Sequence, residues 1–236
     1  MSETKIEWTD VTWNPTTGCS KVSEGCKNCY AERMAKRLYA MGNPRYTNGF
    51  EPTEHLEALS LPFTWKKPKK VFVNSMSDLF HESISEEFIC KVFEVMNNTP
   101  MHTYQILTKR PERALQLTDK ITWTDNIWQG TSVENERVLE RIDYLRLIPS
   151  KIRFLSCEPI LGEITGMNLN GIHWVIVGGE SGPGARPIKE DWVRSIHQQC
   201  IVADTAFFFK QWGGVQKHKN GRLLDGREWN EFPEIK

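Results

Sequence analysis

Short apolar runs alternate with longer stretches in which apolar residues recur every three or four positions. Val71–Asn74 (VFVN), Thr103–Leu107 (TYQIL), Ile127–Thr131, Ile152–Ser156 (IRFLS), His173–Val177 (HWVIV) and Ala206–Phe209 (AFFF) are rich in β-branched and aromatic residues. Their length and composition predict buried strands. Between them lie helical patterns. Phe88, Ile89, Val92, Phe93 and Met96 follow Ser83–Glu86, whose Ser-x-x-Glu spacing predicts a capping box. Pro111 is suited to the first helical position, with Ala114 and Leu115 behind it. Val138, Leu139, Ile142 and Leu145 predict a helix over Glu134–Leu147, ended by Pro149, and Trp192, Val193, Ile196 and Cys200 predict one over Asp191–Ile201.

Strand–helix alternation of this kind implies parallel strands joined by helical crossovers. With a first strand near Val11–Trp13, the pattern predicts an α/β fold: a partial (β/α) TIM-like barrel of about six or seven parallel strands, with a doubly wound sheet as the competing arrangement. The connection from Glu158 to Ile172 lacks a helical pattern. Residues 1–212 read as one barrel unit, residues 42–68 as an irregular insertion near the site, and residues 213–236 as a polar, turn-rich tail.

Composition narrows the class. The 236 residues are 39% hydrophobic, with 30 basic and 30 acidic side chains, so no global field marks a polyanionic partner. The start, Met1–Thr9, is polar and carries Glu3 and Glu7, unlike a signal peptide. No run approaches the ~18 apolar residues of a membrane span. A cytosolic location is expected, where thiols stay reduced. The six cysteines therefore read as metal or redox chemistry rather than disulfides: Cys19, Cys26 and Cys29 cluster, while Cys90, Cys157 and Cys200 stand alone.

The cluster lies in Trp13-Asn-Pro-Thr-Thr-Gly-Cys19-Ser-Lys-Val-Ser-Glu-Gly-Cys26-Lys-Asn-Cys29-Tyr-Ala-Glu-Arg33, with core spacing C-x6-C-x2-C. Gly18 and Gly25 permit tight bends beside the thiolates. Tyr30, Met34, Leu38 and Met41 share one face of a following helix that Gly42 stops. The N-terminus of that helix favours negative charge on the sulfurs. Structural zinc normally takes four ligands. A four-iron cluster on three cysteines leaves one iron open for a small molecule. Zinc, with His55, His81 or Cys157 as fourth ligand, is the alternative, and chance packing of free thiols the bland one.

The stretch Asn14–Arg33 resembles the cluster loop of radical S-adenosylmethionine (SAM) enzymes, in particular the branch similar to spore photoproduct lyase, whose loops read Asn-Pro…Gly-Cys…Cys…Cys-Tyr-Ala-Arg. The chain also resembles a phage-associated family with such a loop. The usual loop has three residues between its first two cysteines and an aromatic before the third; here the gap is six, Asn28 precedes Cys29, and Tyr30 follows it. The resemblance implies a [4Fe–4S] cluster on Cys19, Cys26 and Cys29, SAM as cofactor, and a 5′-deoxyadenosyl radical that takes hydrogen from the substrate. It also implies an electron donor such as flavodoxin or ferredoxin.

Barrel active sites gather at the C-terminal strand ends. Polar residues stand there after each predicted strand. By the resemblance, Ser75 and Asp78 occupy the second strand's cofactor position, and Thr108, Ser132 and Glu134 face the ribose or methionine portion of SAM. Tyr30, Lys109 and Asn135 join this candidate set. Ser132 and Asn135 serve equally well as helix caps. Glu158 and Glu180, acidic and directly after apolar strands, are candidate catalytic groups. Cys157 is a candidate to return hydrogen to a substrate radical, or simply a buried small hydrophobe. Nine tryptophans, with Trp8, Trp13, Trp65, Trp123, Trp128 and Trp212 in or near loops, and the basic Lys66–Lys70 and Lys109–Arg113 segments suggest base stacking and phosphate binding, or ordinary packing. A nucleic-acid substrate, in base repair or modification, is the expectation that follows. A small-molecule or peptide substrate, and a zinc-stabilised nucleic-acid-binding module without catalysis, are the rivals.

Overall fold

The computed structural model describes residue 4 and residues 6–234. Met1–Glu3 of the polar start and residues 235–236 of the tail lie outside the described residues. Seven strands form one parallel sheet in chain order: β1 (Val11–Trp13), β2 (Lys70–Val73), β3 (Thr103–Thr108), β4 (Ile127–Ser132), β5 (Arg153–Cys157), β6 (Trp174–Gly178) and β7 (Ala206–Gln211). The sheet curls into a half-barrel, the partial TIM-like arrangement rather than the doubly wound one. Each strand runs within a residue or two of its predicted span.

The helices are α1 (Tyr30–Ala40), α2 (Glu86–Asn97), α3 (Pro111–Gln116), α4 (Glu140–Leu147) and α5 (Glu190–Val202). The predicted capping box is displaced: Ser85, not Ser83, caps α2, its hydroxyl accepting from Phe88 N at 3.2 Å, while Ile84 is buried. The predicted helix over Glu134–Leu147 is split. Glu134 remains at the strand end, Asn135 caps a single 3-10 turn at Glu136–Val138, and α4 follows.

Strand side chains alternate between two cores, as a period of two requires. Val71, Val73, Tyr104, Ile106, Leu155, Val177, Phe207 and Phe209 face outward against α2 and α5. Trp8, Trp128, Phe154, Trp174, Ile176 and Phe208 fill the concave side. Trp174 is the hub, its ring centroid 6.1 Å from Trp8, 6.3 Å from Trp128, 5.7 Å from Phe154 and 6.0 Å from Phe208. The tryptophans expected in loops are thus mostly packing residues: Trp8, Trp13, Trp65 and Trp128 are buried, and Trp123 and Trp212 lie against the outer core. Lys66–Lys70 leads into β2, at the N-terminal end of the strands and away from their C-terminal mouth.

The 42–68 segment carries a 3-10 turn (Pro44–Tyr46), a short strand at Thr53–Glu54 paired antiparallel with Thr16–Thr17, and a 3-10 stretch at Leu56–Thr64. The tail returns to β7. Asn230 bridges Phe208, Glu231 N donates to Phe207 O at 3.2 Å, and the Phe232 ring lies 5.0 Å from Trp174. Among the described residues no helix is long and apolar enough to cross a membrane.

Candidate functional site

The residues after β1 do not go directly into an outer crossover helix. They rise over the C-terminal ends of the strands. Two backbone bonds start the loop, Gly18 N to Met76 O at 3.1 Å and Cys19 N to Phe50 O at 3.0 Å. Gly18 has φ +81°, and a Cβ there would meet the Glu51 carbonyl at 2.2 Å, so only glycine fits. Asn14, at the loop's start, accepts from Met76 N (3.0 Å) and from the Ser75 hydroxyl (3.2 Å). Ser75 is thereby engaged in positioning the loop after β2.

The loop then crosses the mouth and is tied to successive strand ends by polar side chains. Beside β3, Arg110 is the first anchor. Its Nη1 lies 3.6 Å from Cys19 Sγ and 3.2 Å from Asp78, Nη2 donates to Ser20 Oγ at 2.9 Å, and Nε donates to Glu82 at 2.9 Å. Burial opposes the guanidinium charge, but the Glu82, Asp78 and Cys19 partners outweigh it and raise the Arg110 pKa. The Asp78 carboxylate accepts from the Thr108 hydroxyl (2.7 Å), Phe80 N (3.0 Å), Lys109 N (3.0 Å) and Arg110. Asp78 and Thr108 therefore spend their polar atoms joining the ends of β2 and β3. Cys19 is pushed up to about 11 by burial and by Asp78, with Arg110 opposing.

At the end of β4, Glu134 is 1% exposed and accepts from Ser23 Oγ (2.6 Å) and Arg141 Nη1 (2.9 Å), with Lys109 Nζ at 3.6 Å. Gly25 presses on it so closely that a Cβ would meet Glu134 Oε1 at 2.4 Å. Asn135 donates to Glu24 at 3.1 Å besides its capping bond. At the end of β6, Glu180 accepts from Asn28 Nδ2 (2.9 Å) and from Arg186 through N, Nε and Nη2. Burial works to raise the Glu180 pKa; the Arg186 and Asn28 bonds overcome this and lower it to about 2. Past Cys29, Arg33 of α1 donates to the carbonyls of Ser181 (2.9 Å) and Pro183 (3.1 Å).

Under the loop, the concave face presents polar side chains. Lys109 Nζ donates to Ser132 Oγ at 3.1 Å. Lys210 Nζ at the end of β7 donates to both Glu158 oxygens, at 2.7 and 2.8 Å. A Cβ on Gly178 would meet the Glu158 carboxyl at 3.3 Å, which places that side chain over β6. Lys109, Ser132, Glu158 and Lys210 thus share the mouth.

Cys157 does not. It is 0% exposed in the outer core, on the face toward α5 and Cys200, and burial pushes its thiol up. The buried-hydrophobe alternative describes its position. Tyr30, 60% exposed at the start of α1, faces solvent. The histidines weighed as fourth ligands are also engaged. His81 accepts from Ser83 N at Nδ1 (3.1 Å) and contacts Ser20 Oγ at Nε2 (2.8 Å). His55 contacts Thr17 Oγ1 at Nε2 (2.8 Å) and Glu57 at Nδ1 (3.3 Å). Among the described residues no three His, Cys, Asp or Glu side chains are grouped to share one metal ion.

Sequence reasoning singled out the three cysteines and the strand-end carboxylates but missed their partners Asn14, Ser23, Asn28, Arg33, Arg141 and Arg186. Four of these partners, Asn14, Ser23, Asn28 and Arg33, lie inside the cysteine stretch itself, the one signal that pointed at them.

The fold has solved counterparts. Structures of spore photoproduct lyase, one mutant with bound AdoMet and dinucleoside spore photoproduct, one complex with dinucleoside spore photoproduct and one further mutant, superpose with a TM-score of 0.51 at 12% identity. Each match covers 84% of this chain and 62% of the lyase, so the chain spans under two thirds of the protein it matches. No curated protein matches the chain. A family described as "Protein of unknown function (DUF5131)" matches residues 3–233, and the chain belongs to that family.

Proposed function

We propose that this chain is a radical SAM enzyme in which Cys19, Cys26 and Cys29 hold a [4Fe–4S] cluster and SAM binds beside it at the strand ends, acting on a nucleic-acid substrate in base repair or modification. The observation that carries the reading is the three-thiol loop laid across the mouth of a half-barrel and tied to the ends of β3, β4 and β6. The donor set fits. Thiolates suit iron–sulfur clusters, and the fourth ligands that closed zinc needs are engaged elsewhere or buried. A cluster meets each thiolate on a different iron, so its sulfurs need not converge as those on one ion must.

When bound, the cluster and SAM supply one-electron cleavage of the sulfonium bond and hydrogen abstraction; the chain supplies orientation and shelter. Arg110 steadies charge at Cys19. Lys109 and Ser132 offer a cation and a hydroxyl to the carboxylate or ribose of SAM, and the Glu158–Lys210 pair faces the substrate side. Asp78, Glu134 and Glu180 hold the loop in place. A spore photoproduct lyase of this fold binds AdoMet and dinucleoside spore photoproduct, which supports this class at the level of fold. The electron comes from a donor of the flavodoxin or ferredoxin kind in a reducing cytosol.

The test is anaerobic reconstitution followed by dithionite reduction with SAM. Iron and labile sulfide in equal amounts, with 5′-deoxyadenosine formed by the native chain but not by a Cys19/Cys26/Cys29→Ala variant, is the expected outcome. Stoichiometric zinc without iron or product refutes it.

A further inference from the structure

Only three aromatic side chains among the described residues are exposed: Tyr30 (60%), Tyr39 (58%) and Phe63 (57%). Phe63 belongs to the segment that enters β2, at the far end of the strands from the mouth. The two tyrosines lie on α1, directly after Cys29. At 100° per residue, they mark the two edges of the exposed arc of that helix, with Lys36, Arg37 and Ala40 between them. Of the helix, Ala31 and Ala35 are buried, against Tyr46 and Met76. α1 shares nothing with the main core. It lies on the loop and the insertion.

Charge is uneven here although the chain is balanced overall. Residues 19–51 carry six basic side chains against three acidic ones. Several are committed internally: Lys21 and Lys36 pair with Glu32 at 3.2 and 2.8 Å, and Arg33 binds the carbonyls of residues 181 and 183. Lys27 and Arg37, both exposed, make no ion pair among the described residues. Lys27 lies three residues before Tyr30, and Arg37 lies two turns along α1 on nearly the same face as Tyr30.

We propose that the outer face of α1 is a docking surface for an unpaired nucleic-acid strand, with Lys27 and Arg37 meeting backbone phosphates and Tyr30 and Tyr39 stacking on bases, so that the strand is held across the cysteine loop. This rests on the nucleic-acid reading of the substrate and says where on the molecule that substrate is gripped. Cations that neutralise phosphates supply sequence-independent affinity, and aromatic faces take any base. An acidic redox protein would match the charge as well and is the rival occupant the experiment separates; the two exposed rings beside the cations favour a strand whose bases can stack on them. Of the surfaces first suggested by the sequence, the tryptophans are mostly packing residues and Lys66–Lys70 sits at the opposite end of the sheet, while Lys109, Arg110 and Arg113 stand near the mouth but are bonded to Ser132, Asp78 and the Ile84 carbonyl.

The experiment is fluorescence anisotropy of the full chain with labelled mixed-sequence single-stranded DNA and RNA across a salt series. Four proteins are compared: native, Lys27→Glu/Arg37→Glu, Tyr39→Ala, and Lys66→Glu/Lys67→Glu at the far end. The double variant at α1 is expected to weaken binding at least tenfold at about 0.1 M salt and to flatten the salt slope by about one to two. Tyr39→Ala is expected to weaken binding about fivefold or more with the slope unchanged. The far-end variant should bind like the native chain. All substituted positions are exposed, and unchanged melting temperatures confirm folding. If native protein binds oligonucleotide and the α1 double variant binds equally well, the docking proposal fails while the nucleic-acid reading stands. Loss of flavodoxin binding in that variant with oligonucleotide binding intact assigns the face to the electron donor instead. If the native chain cleaves SAM but binds no oligonucleotide, the nucleic-acid reading itself is lost.

Discussion

The two ends of the half-barrel are made from the same strands and opposite chemistry. Along the concave face the inner positions run Trp128, Gly130, Ser132 on β4; Phe154, Ser156 and then Glu158 on β5; Trp174, Ile176, Gly178 on β6; and Phe208, Lys210 on β7. Each strand starts aromatic and ends small, polar or charged. At the floor, rings interlock around Trp174, and the cations that touch the cluster, Lys70 over Phe232 and Arg222 over Phe208, stand on ring faces at its edge. At the mouth, the loop is held by carboxylates, guanidiniums and hydroxyls, and its apolar support is a small satellite cluster around Ala35 and Tyr46. Burial at the floor is non-directional and contributes stability. Hydrogen bonds at the mouth contribute direction, and fix where the thiols stand. Stability and chemistry are therefore separable in this protein.

The sharpest way to test that separation is the cysteine loop itself. Replacing Cys19, Cys26 and Cys29 together by Ala should abolish iron binding and SAM cleavage, while the melting temperature of the metal-free protein stays close to native, because none of the three belongs to the main core. A large drop in metal-free stability would show that loop and core are not independent. Trp174→Ala should do the reverse, costing about 3–5 kcal/mol in denaturant unfolding through the lost ring contacts and the cavity left behind. Glu134→Ala sits between the two. Removing a buried carboxylate strands Arg141 and releases Ser23, at a cost of about 3 kcal/mol. Hydrogen exchange across residues 20–28 should rise in this variant more than across β3 or β5.

The smallest effect concerns pH. Glu180 has a lowered pKa in the folded protein, about 2 against an ordinary value of 4.5. Its stabilising contribution is therefore complete above about pH 4.5 and disappears as pH falls toward 2. Exchange protection of residues 180–186 should weaken over that window in native protein. Glu180→Gln should start less protected and lose the dependence.

Much of the fold was legible because the floor and outer core are written locally: runs such as VFVN and HWVIV state their own burial. The second serine of the Ser83–Glu86 stretch became the cap because Ile84 is drawn into the core, a tertiary preference that spacing does not express. The helix placed at Glu134 began late for a related reason. That side chain is held at the strand end by Ser23 and Arg141, partners 111 residues before it and 7 after it. The cysteines were visible as a motif. Their anchors were not, since Asn28 and Glu180 are 152 residues apart and neither has a local pattern. Tryptophan was the misleading residue type: an amphipathic ring reads the same in a loop or a plug, and here most are plug.

A half-barrel lacks the hydrogen bonds that would join its first strand to its last, so its curvature is mechanically soft. The loop from Cys19 to Cys29 spans that arc as a chord, fastened beside β3, at β4 and at β6. A change in the arc's radius therefore pulls on the fastenings, and a change in the loop pulls on the arc. Whatever loads the thiols also sets the stiffness of the sheet beneath them, and the width of the opening is governed from above rather than by the strands alone.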